Sequence, residues 1–478
     1  MKTRQWKRAG LQRHGLERNG PPHRGLRMAG VALALGAAAG AAQATDVFRL
    51  EGFGAVSRAM GGVATAHDVG PAGMMTNPAT LSLMEADNAA MLGLDLVTTD
   101  IDVRNRSTGE NAHSRNHGAN RGPYFAPELA YVQRVGDWTF GLGAFAQGGL
   151  GTEYGRNSFL SRATGGLDTG LENSSRLLVL NIPLAASFRA TEALTIGGSI
   201  DAMWQGLNLD MLLGADQVGS LIGAGRVSGS LLPVLGGLPD LRGAHFSLTR
   251  NAPLASGVNA WGYTGRVGMT YALSADTRLG AAYTQRSRMG DMDGRATLTA
   301  VDGTAGQIAL PGKLQIRDFQ MPSVLNLGVS QRVTDRLTVA ADVSRVFWSA
   351  VMKDIKVAFV ADGGGDLNIR LPQGYRDQTV VAVGTAWRMN EQWTLRGGLR
   401  LAQQALPAST LLPVIPATPR KHLSVGFGYA VSPRSNVDFA WSHAFRETMD
   451  NTSLPNTSAP IRVSHAQDNA TLVYTWRF

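Results

Sequence analysis

The chain contains no cysteine. Small exported folds are commonly stapled by disulfides, so a cysteine-free protein that leaves the cytoplasm must be held together by other means. Also missing is any apolar run of the eighteen or more residues that a membrane helix needs. If the chain crosses a membrane, it crosses with strands. His67, His113, His117, His245, His422, His443 and His465 show no metal-ligand spacing, and there is no G-x-S-x-G turn, so neither metal-assisted nor serine-hydrolase chemistry has a constellation. Ser442-His443 and Ser464-His465 are adjacent pairs, whereas a nucleophile and its base meet across a fold with a third orienting group. No cofactor or metal is expected. Basic surplus is scarce once it is located. The formal charge is +9, but residues 1–28 hold eight Lys or Arg against Glu17 alone. Setting that segment aside leaves about +2, which gives no support to a nucleic-acid role.

What is there begins with order at the N-terminus. The basic stretch leads into an apolar run from Met28 to Ala42 and an A-x-A site at Ala42-Gln43-Ala44, the sequence of regions in a secretory signal peptide with cleavage before Thr45. Residues 1–44 are therefore expected to be removed on export. From Asp87 onward, segments alternate in polarity. Leu194, Ile196, Gly198, Ile200, Ala202 and Trp204 make an apolar face, and Thr195, Gly197, Ser199, Asp201, Met203 and Gln205 a smaller or more polar one. Side chains alternate across a strand, so the first set suits lipid and the second a lumen. An aqueous sandwich alternates too, and the connections discriminate better. Six are short (135–138, 189–193, 274–277, 334–336, 389–392, 432–436) and lie between seven longer loops near 105–122, 148–175, 211–258, 301–320, 353–377, 405–419 and 449–463. Six turns and seven loops join fourteen strands, and an even count with alternating short and long connections is the pattern of outer-membrane barrels. Trp138, Trp204, Trp261, Trp348, Trp387 and Trp393 fall near strand ends, where an interfacial aromatic girdle belongs. The expected fold is all-β, a 14-stranded antiparallel transmembrane barrel over residues 86–478, as a monomer in the outer membrane of a Gram-negative cell.

Residues 45–85 read differently, rich in Gly, Ala and Met with no period of two. A barrel of that width is not filled by its own side chains, so this segment is expected to plug it as a partly helical hatch. Here the stretch Phe48-Arg49-Leu50, Ser57-Arg58-Ala59-Met60-Gly61-Gly62, Asp68 and Asn77-Pro78-Ala79 resembles the N-terminal hatch of the FadL/OmpP1/TodX family, which includes long-chain fatty-acid transporters and aromatic-hydrocarbon channels. The resemblance continues in Gly151-Thr152-Glu153-Tyr154, Trp261-Gly262-Tyr263, Gln373-Gly374-Tyr375-Arg376-Asp377 and the last strand, so it spans the mature chain. It implies capture of a long-chain fatty acid or other hydrophobic small molecule by external loops, transfer past a moving hatch, and sideways release into outer-membrane lipid at a kinked third strand. The terminal Phe478, behind alternating Leu472, Tyr474 and Trp476, resembles the signal read by the barrel assembly machinery.

Candidate site residues follow from both readings. Leu212, Leu213, Leu221, Ile222, Leu231 and Leu232 belong to an apolar run in the 211–258 loop and suit a ligand surface, or a helical lid packed on itself. Phe48 joins them through the hatch resemblance. Arg189 matches an arginine that some family members place near a ligand carboxylate, and equally suits a turn; Arg370 stands beside Leu371 and Gln373, where relatives often carry lysine and glutamate. Gly148, Gly149 and Gly151 interrupt the third strand and mark the lateral opening, unless Gly148 merely begins the loop. Lumen-facing Asp201, Arg266, Asp342, Arg396, Arg400 and Asp438 would also suit a general porin, the alternative reading, with a barrel lipid hydrolase behind it. The N-terminal plug separates them, because a porin narrows its pore with an inward loop.

Overall fold

The computed structural model describes residues 47–115, 124–248 and 256–478; the signal-peptide expectation lies outside them. The first wall strands are β1 (Asn88–Val97), β2 (Tyr124–Val135), β3 (Trp138–Gly155), β4 (Asn173–Arg189), β5 (Leu194–Gly214) and β6 (Val258–Ala272). The wall continues through Thr277–Thr284, Val324–Arg332, Leu337–Val346, Gln378–Arg388, Trp393–Ala402, Lys421–Ser432 and Ser435–Asn451 to Ile461–Arg477, each strand antiparallel to the one before. That closing strand pairs with β1 from Ala89↔Arg477 to Val97↔Asn469, so the wall joins itself. Closure satisfies the backbone groups that an open sheet edge would leave bare in lipid.

The expectation of fourteen strands is corrected: among the described residues the sheet holds 23. The strands outside the wall circuit lie largely in segments expected to be loops. A hairpin of Asp100–Asn105 and Asn111–Arg115 extends the closing strand. Leu241–Leu248 adds to β5, and the hairpins Met292–Asp302 with Gly306–Arg317 and Asp354–Ala361 with Asp366–Pro372 build outward from it. Their alternation is cut into short runs by turn residues such as Gly306 and Gly364, both at positive φ, and short runs between glycines read as loop.

Face assignment along the wall follows the two-residue period. On β5, Ile196 and Ile200 are exposed while Thr195, Ser199, Asp201, Met203 and Gln205 are buried. Trp138, Trp261 and Trp387 are exposed as a girdle requires, Trp204 and Trp393 are half-buried, and Trp348 departs from the expectation altogether, being fully buried in the interior.

Candidate functional site

The segment ahead of β1 folds as a short helix, α1 (Gly54–Ala59), and two 3-10 turns, Pro71–Met75 and Pro78–Leu83, whose residues are nearly all buried against the inner face of the wall. Proline suits the first position of each turn, where its missing N–H has no partner to lose. Asn77 sets the second turn. Its side-chain oxygen accepts from the Ala79 N–H at 3.1 Å, and its amide donates to the Thr65 carbonyl at 2.7 Å and to the Met269 carbonyl of β6 at 3.0 Å. The wall makes room with glycine: a Cβ at Gly268 would sit 2.1 Å from the Asn77 oxygen, and one at Gly197 2.5 Å from the Ala79 nitrogen.

Charge fixes the other side. Arg58 of α1, 1% exposed, lies 2.7 Å from Asp95 of β1, 3.8 Å from Glu51 and 4.0 Å from Glu128 of β2. The Gly54 N–H donates to both Glu128 oxygens at 3.1 Å, and Ser442 and Asn469 donate to Glu51 at 2.5 and 3.2 Å. Burial pushes Glu51 upward, but Arg58, His422 and the Ser442 hydroxyl overcome it and hold the carboxyl at about 2. Removing one partner of such a buried cluster strands the rest, at a cost of roughly 3–5 kcal/mol. The remaining lumen charges are also committed: Arg266 to Asp201 at 2.5 Å, Arg396 to Asp438 at 2.8 Å, and Asp342 to the Ala64 and Thr65 N–H groups at 2.8 and 3.0 Å.

Between β2 and β3 the wall is unzipped. Their pairing runs from Val135↔Trp138 to Glu128↔Phe145 and stops, so among the described strands Tyr124 to Pro127 are ladder-paired with β1 alone. β3 itself continues along β4 to Gly155, with a register shift between Ala146 and Gly148. The N-terminal segment takes the vacated edge. The Gly149 N–H donates to the Phe48 carbonyl at 2.8 Å, the Leu50 N–H donates to the Gln147 carbonyl at 3.2 Å, and Arg49 bridges Gly148. A Cβ at Gly148 would lie 2.1 Å from the Phe48 oxygen, which is why glycine stands there. Gly148 therefore lies within the strand and does not begin a loop. A cavity of 140 Å³ opens along this seam, lined by Leu50, Phe125, Leu150, Arg176, Leu177 and Leu178 among others.

Inside the seam, Phe48 is buried in an aromatic nest, edge-on to Trp348 at 5.7 Å and 6.2 Å from both Phe319 and Tyr375. Leu212 and Leu213 at the end of β5 line a second cavity of 390 Å³ with Phe159, Leu160, Met211 and Leu412. The other loop candidates divide. Two helices, α2 (Ala215–Gly223) and α3 (Leu231–Gly236), turn Leu221 and Leu231 into the core, leave Leu232 half-buried and expose Ile222. For Leu221 and Leu231 the self-packed lid is the better description.

A protein family described as outer membrane protein transport protein (OMPP1/FadL/TodX) matches residues 30–473. The chain belongs to this family. Like its family, it is an outer-membrane protein. The crystal structure of the P. putida toluene transporter TodX is 42% identical, with a TM-score of 0.81 over 90% of this chain and 99% of that one. The Ralstonia pickettii toluene transporter TbuX is 47% identical, with a TM-score of 0.77 over 90% and 99%. A long-chain fatty acid transport protein of Escherichia coli O6:H1 is 25% identical over 402 residues, covering 80% of this chain and 82% of the relative. Against this FadL/TodX frame the two candidate arginines fall apart. Arg189 sits exposed at the short turn between β4 and β5, donating to the Ser82 carbonyl at 3.3 Å. Arg370 is exposed on an outer hairpin, donating to the Gly225 carbonyl at 3.0 Å. Neither lines the two cavities described above. Sequence reading missed Trp348, taken for a girdle residue, and Arg176, which carried no motif at all.

Proposed function

We propose that this outer-membrane protein takes up small hydrophobic compounds, of the class that its relatives' names specify as toluene or long-chain fatty acid. Cargo is captured in the cavity at Leu212 and Leu213, passes to the nest around Phe48, and leaves sideways between β2 and β3 at Gly148, Gly149 and Gly151. Residues 45–85 act as a hatch over a barrel of residues 86–478. One observation carries the reading: a strand-like piece of the hatch, Phe48 to Leu50, fills the edge that β2 gives up. A wall designed to stay shut would pair β2 with β3 throughout. An apolar compound gains about 0.8 kcal/mol per buried CH₂ by stepping directly into the bilayer.

A water-filled porin is less well supported, because among the described residues Arg266 and Arg396 are paired with Asp201 and Asp438, and Asp342 is held by the N-terminal segment. A lipid hydrolase fares no better. Ser442 points inward to Glu51 while its neighbour His443 pairs outward with Asp468 at 2.9 Å, so the adjacent Ser-His pair faces opposite ways.

The absence of native cysteine makes a clean test available. Cysteines introduced as Ala126→Cys and Ala146→Cys flank the seam cavity and can be bridged by a short bifunctional thiol reagent that a reductant cleaves. Bridging is expected to abolish uptake of a lipophilic probe into cells, and cleavage to restore it, with probe binding at the surface unchanged. Uptake undiminished in fully bridged protein would return the route to the barrel axis.

A further inference from the structure

Arg176 lies on β4 opposite Gly151, on the same face as the lipid-exposed Ile182 and Leu184. Its guanidinium stacks 5.1 Å from the ring centre of Tyr124, the first residue of β2. Tyr124 in turn reaches across the unzipped seam, its hydroxyl occupying the place a side chain at Gly151 would take, 2.0 Å from that Cβ position. The two side chains thus form a clasp between strands that share no backbone hydrogen bonds at this height. The Arg176 guanidinium has no hydrogen-bond or ion-pair partner among the described residues, whereas Arg58, Arg266 and Arg396 in the lumen are each paired with a carboxylate. It borders a cavity whose other walls are mostly apolar, including Leu50, Phe125, Leu150 and Leu178. A half-buried cation in such surroundings is poorly compensated by a ring face alone, and its free N–H edges fit a carboxylate through two parallel bonds.

We propose that Arg176, clasped on Tyr124 across the seam, is the residue that reads the head group of departing cargo, and that it selects apolar carboxylic acids over neutral compounds of the same shape. The inference rests on the lateral route proposed above. In that route the head of an amphiphile passes the seam beside Arg176 while its tail occupies the leucine-lined cavity. The carboxylate takes the guanidinium edge, the Tyr124 stack loosens, and the clasp opens with the cargo that it recognises.

The test compares a long-chain carboxylic acid with the corresponding alcohol, at pH 7.5, in proteoliposomes of phosphatidylcholine alone and in proteoliposomes containing anionic phospholipid. Wild-type uptake of the alcohol, and its loss on bridging the seam, report on the route itself. The ratio of acid to alcohol reports on Arg176. Arg176→Gln is expected to lower acid uptake about tenfold, the equivalent of one lost charge-assisted pair, while alcohol uptake stays within about twofold and assembled barrel is unchanged; Arg176→Lys should recover part of the acid preference. Equal losses for both cargoes would make the clasp structural only and overturn the proposal. So would an unchanged ratio. A ratio that shifts only when anionic lipid is present would assign the guanidinium to a membrane phosphate and not to cargo.

Discussion

Asn77 shows how much of the hatch hangs on single side chains. It caps one turn, ties that turn to Thr65 and reaches the wall at Met269. Replacing it with alanine removes a cap worth about 1 kcal/mol and leaves buried carbonyls unpaired at about 1–3 kcal/mol. Asn77→Ala should therefore raise the frequency of ion-conducting openings in planar bilayers while assembled barrel persists; a silent variant would show the motif to be dispensable for docking. His67 supplies a second handle. Both its ring nitrogens lack a partner among the described residues, and burial, helped by the Arg396 guanidinium, lowers it from 6.5 to about 4. A histidine depressed in the docked state binds its proton more readily once released. Docking is then at full strength above pH 6.5, weakens as the pH falls below that value, and has lost the whole contribution below about 4. Openings should become more frequent at pH 4.5 than at pH 7.5, and His67→Asn should flatten that difference; an equally steep dependence in the variant would assign it elsewhere. None of this was legible in the residues alone. Asn77-Pro78-Ala79 stood out as a motif, but its partner Met269 lies 192 positions away, and nothing local to His67 announces Arg396.

At the level of the element, β3 was readable in part. The run Gln147-Gly148-Gly149-Leu150-Gly151 marks a break because glycine weakens a ladder and permits a close backbone approach. Which backbone approaches could not be read, since Phe48 is 100 positions earlier. The consequence is practical. Gly148→Val would drive a side chain into the Phe48 carbonyl, 2.1 Å from the Cβ position, and so should expel the hatch edge and raise leak, instead of straightening the strand. Conductance of Gly148→Val above wild type, with normal assembly, is the expected result; wild-type conductance would mean that the edge accommodates the side chain. The short turns were legible because each is a few turn-forming residues between strongly alternating runs, as at Val135 to Trp138, where Gly136 takes a positive φ. The outer hairpins were not, because Gly306 and Gly364 make the same local signal inside a continuing sheet. Arg189 and Arg370 were chosen for their charge, yet a guanidinium's use depends on the cavity it borders, and only pairing across strands put Arg176 at one.

Taken whole, the molecule is a closed wall around a buried N-terminal segment that we propose is separable from it. β1 pairs along its length with the closing strand on one side and with β2 on the other, independently of residues 45–85. Deleting those residues should leave a heat-modifiable band in the outer-membrane fraction and a large steady conductance, because Asp95, Glu128 and Asp342 would take water in place of Arg58 and the Thr65 N–H. Failure to assemble would make the segment part of the core. The seam gives the cell something further. An outer membrane protects by what it refuses, detergents and antibiotics above all, and any permanent slit in a barrel would forfeit that refusal. Here the strip that seals the slit is the same strip that carries Phe48 into the aromatic nest, so the two can only be vacated together. On the lateral route proposed above, an idle copy is therefore a tight one, and added copies bring capacity for apolar cargo without a standing leak.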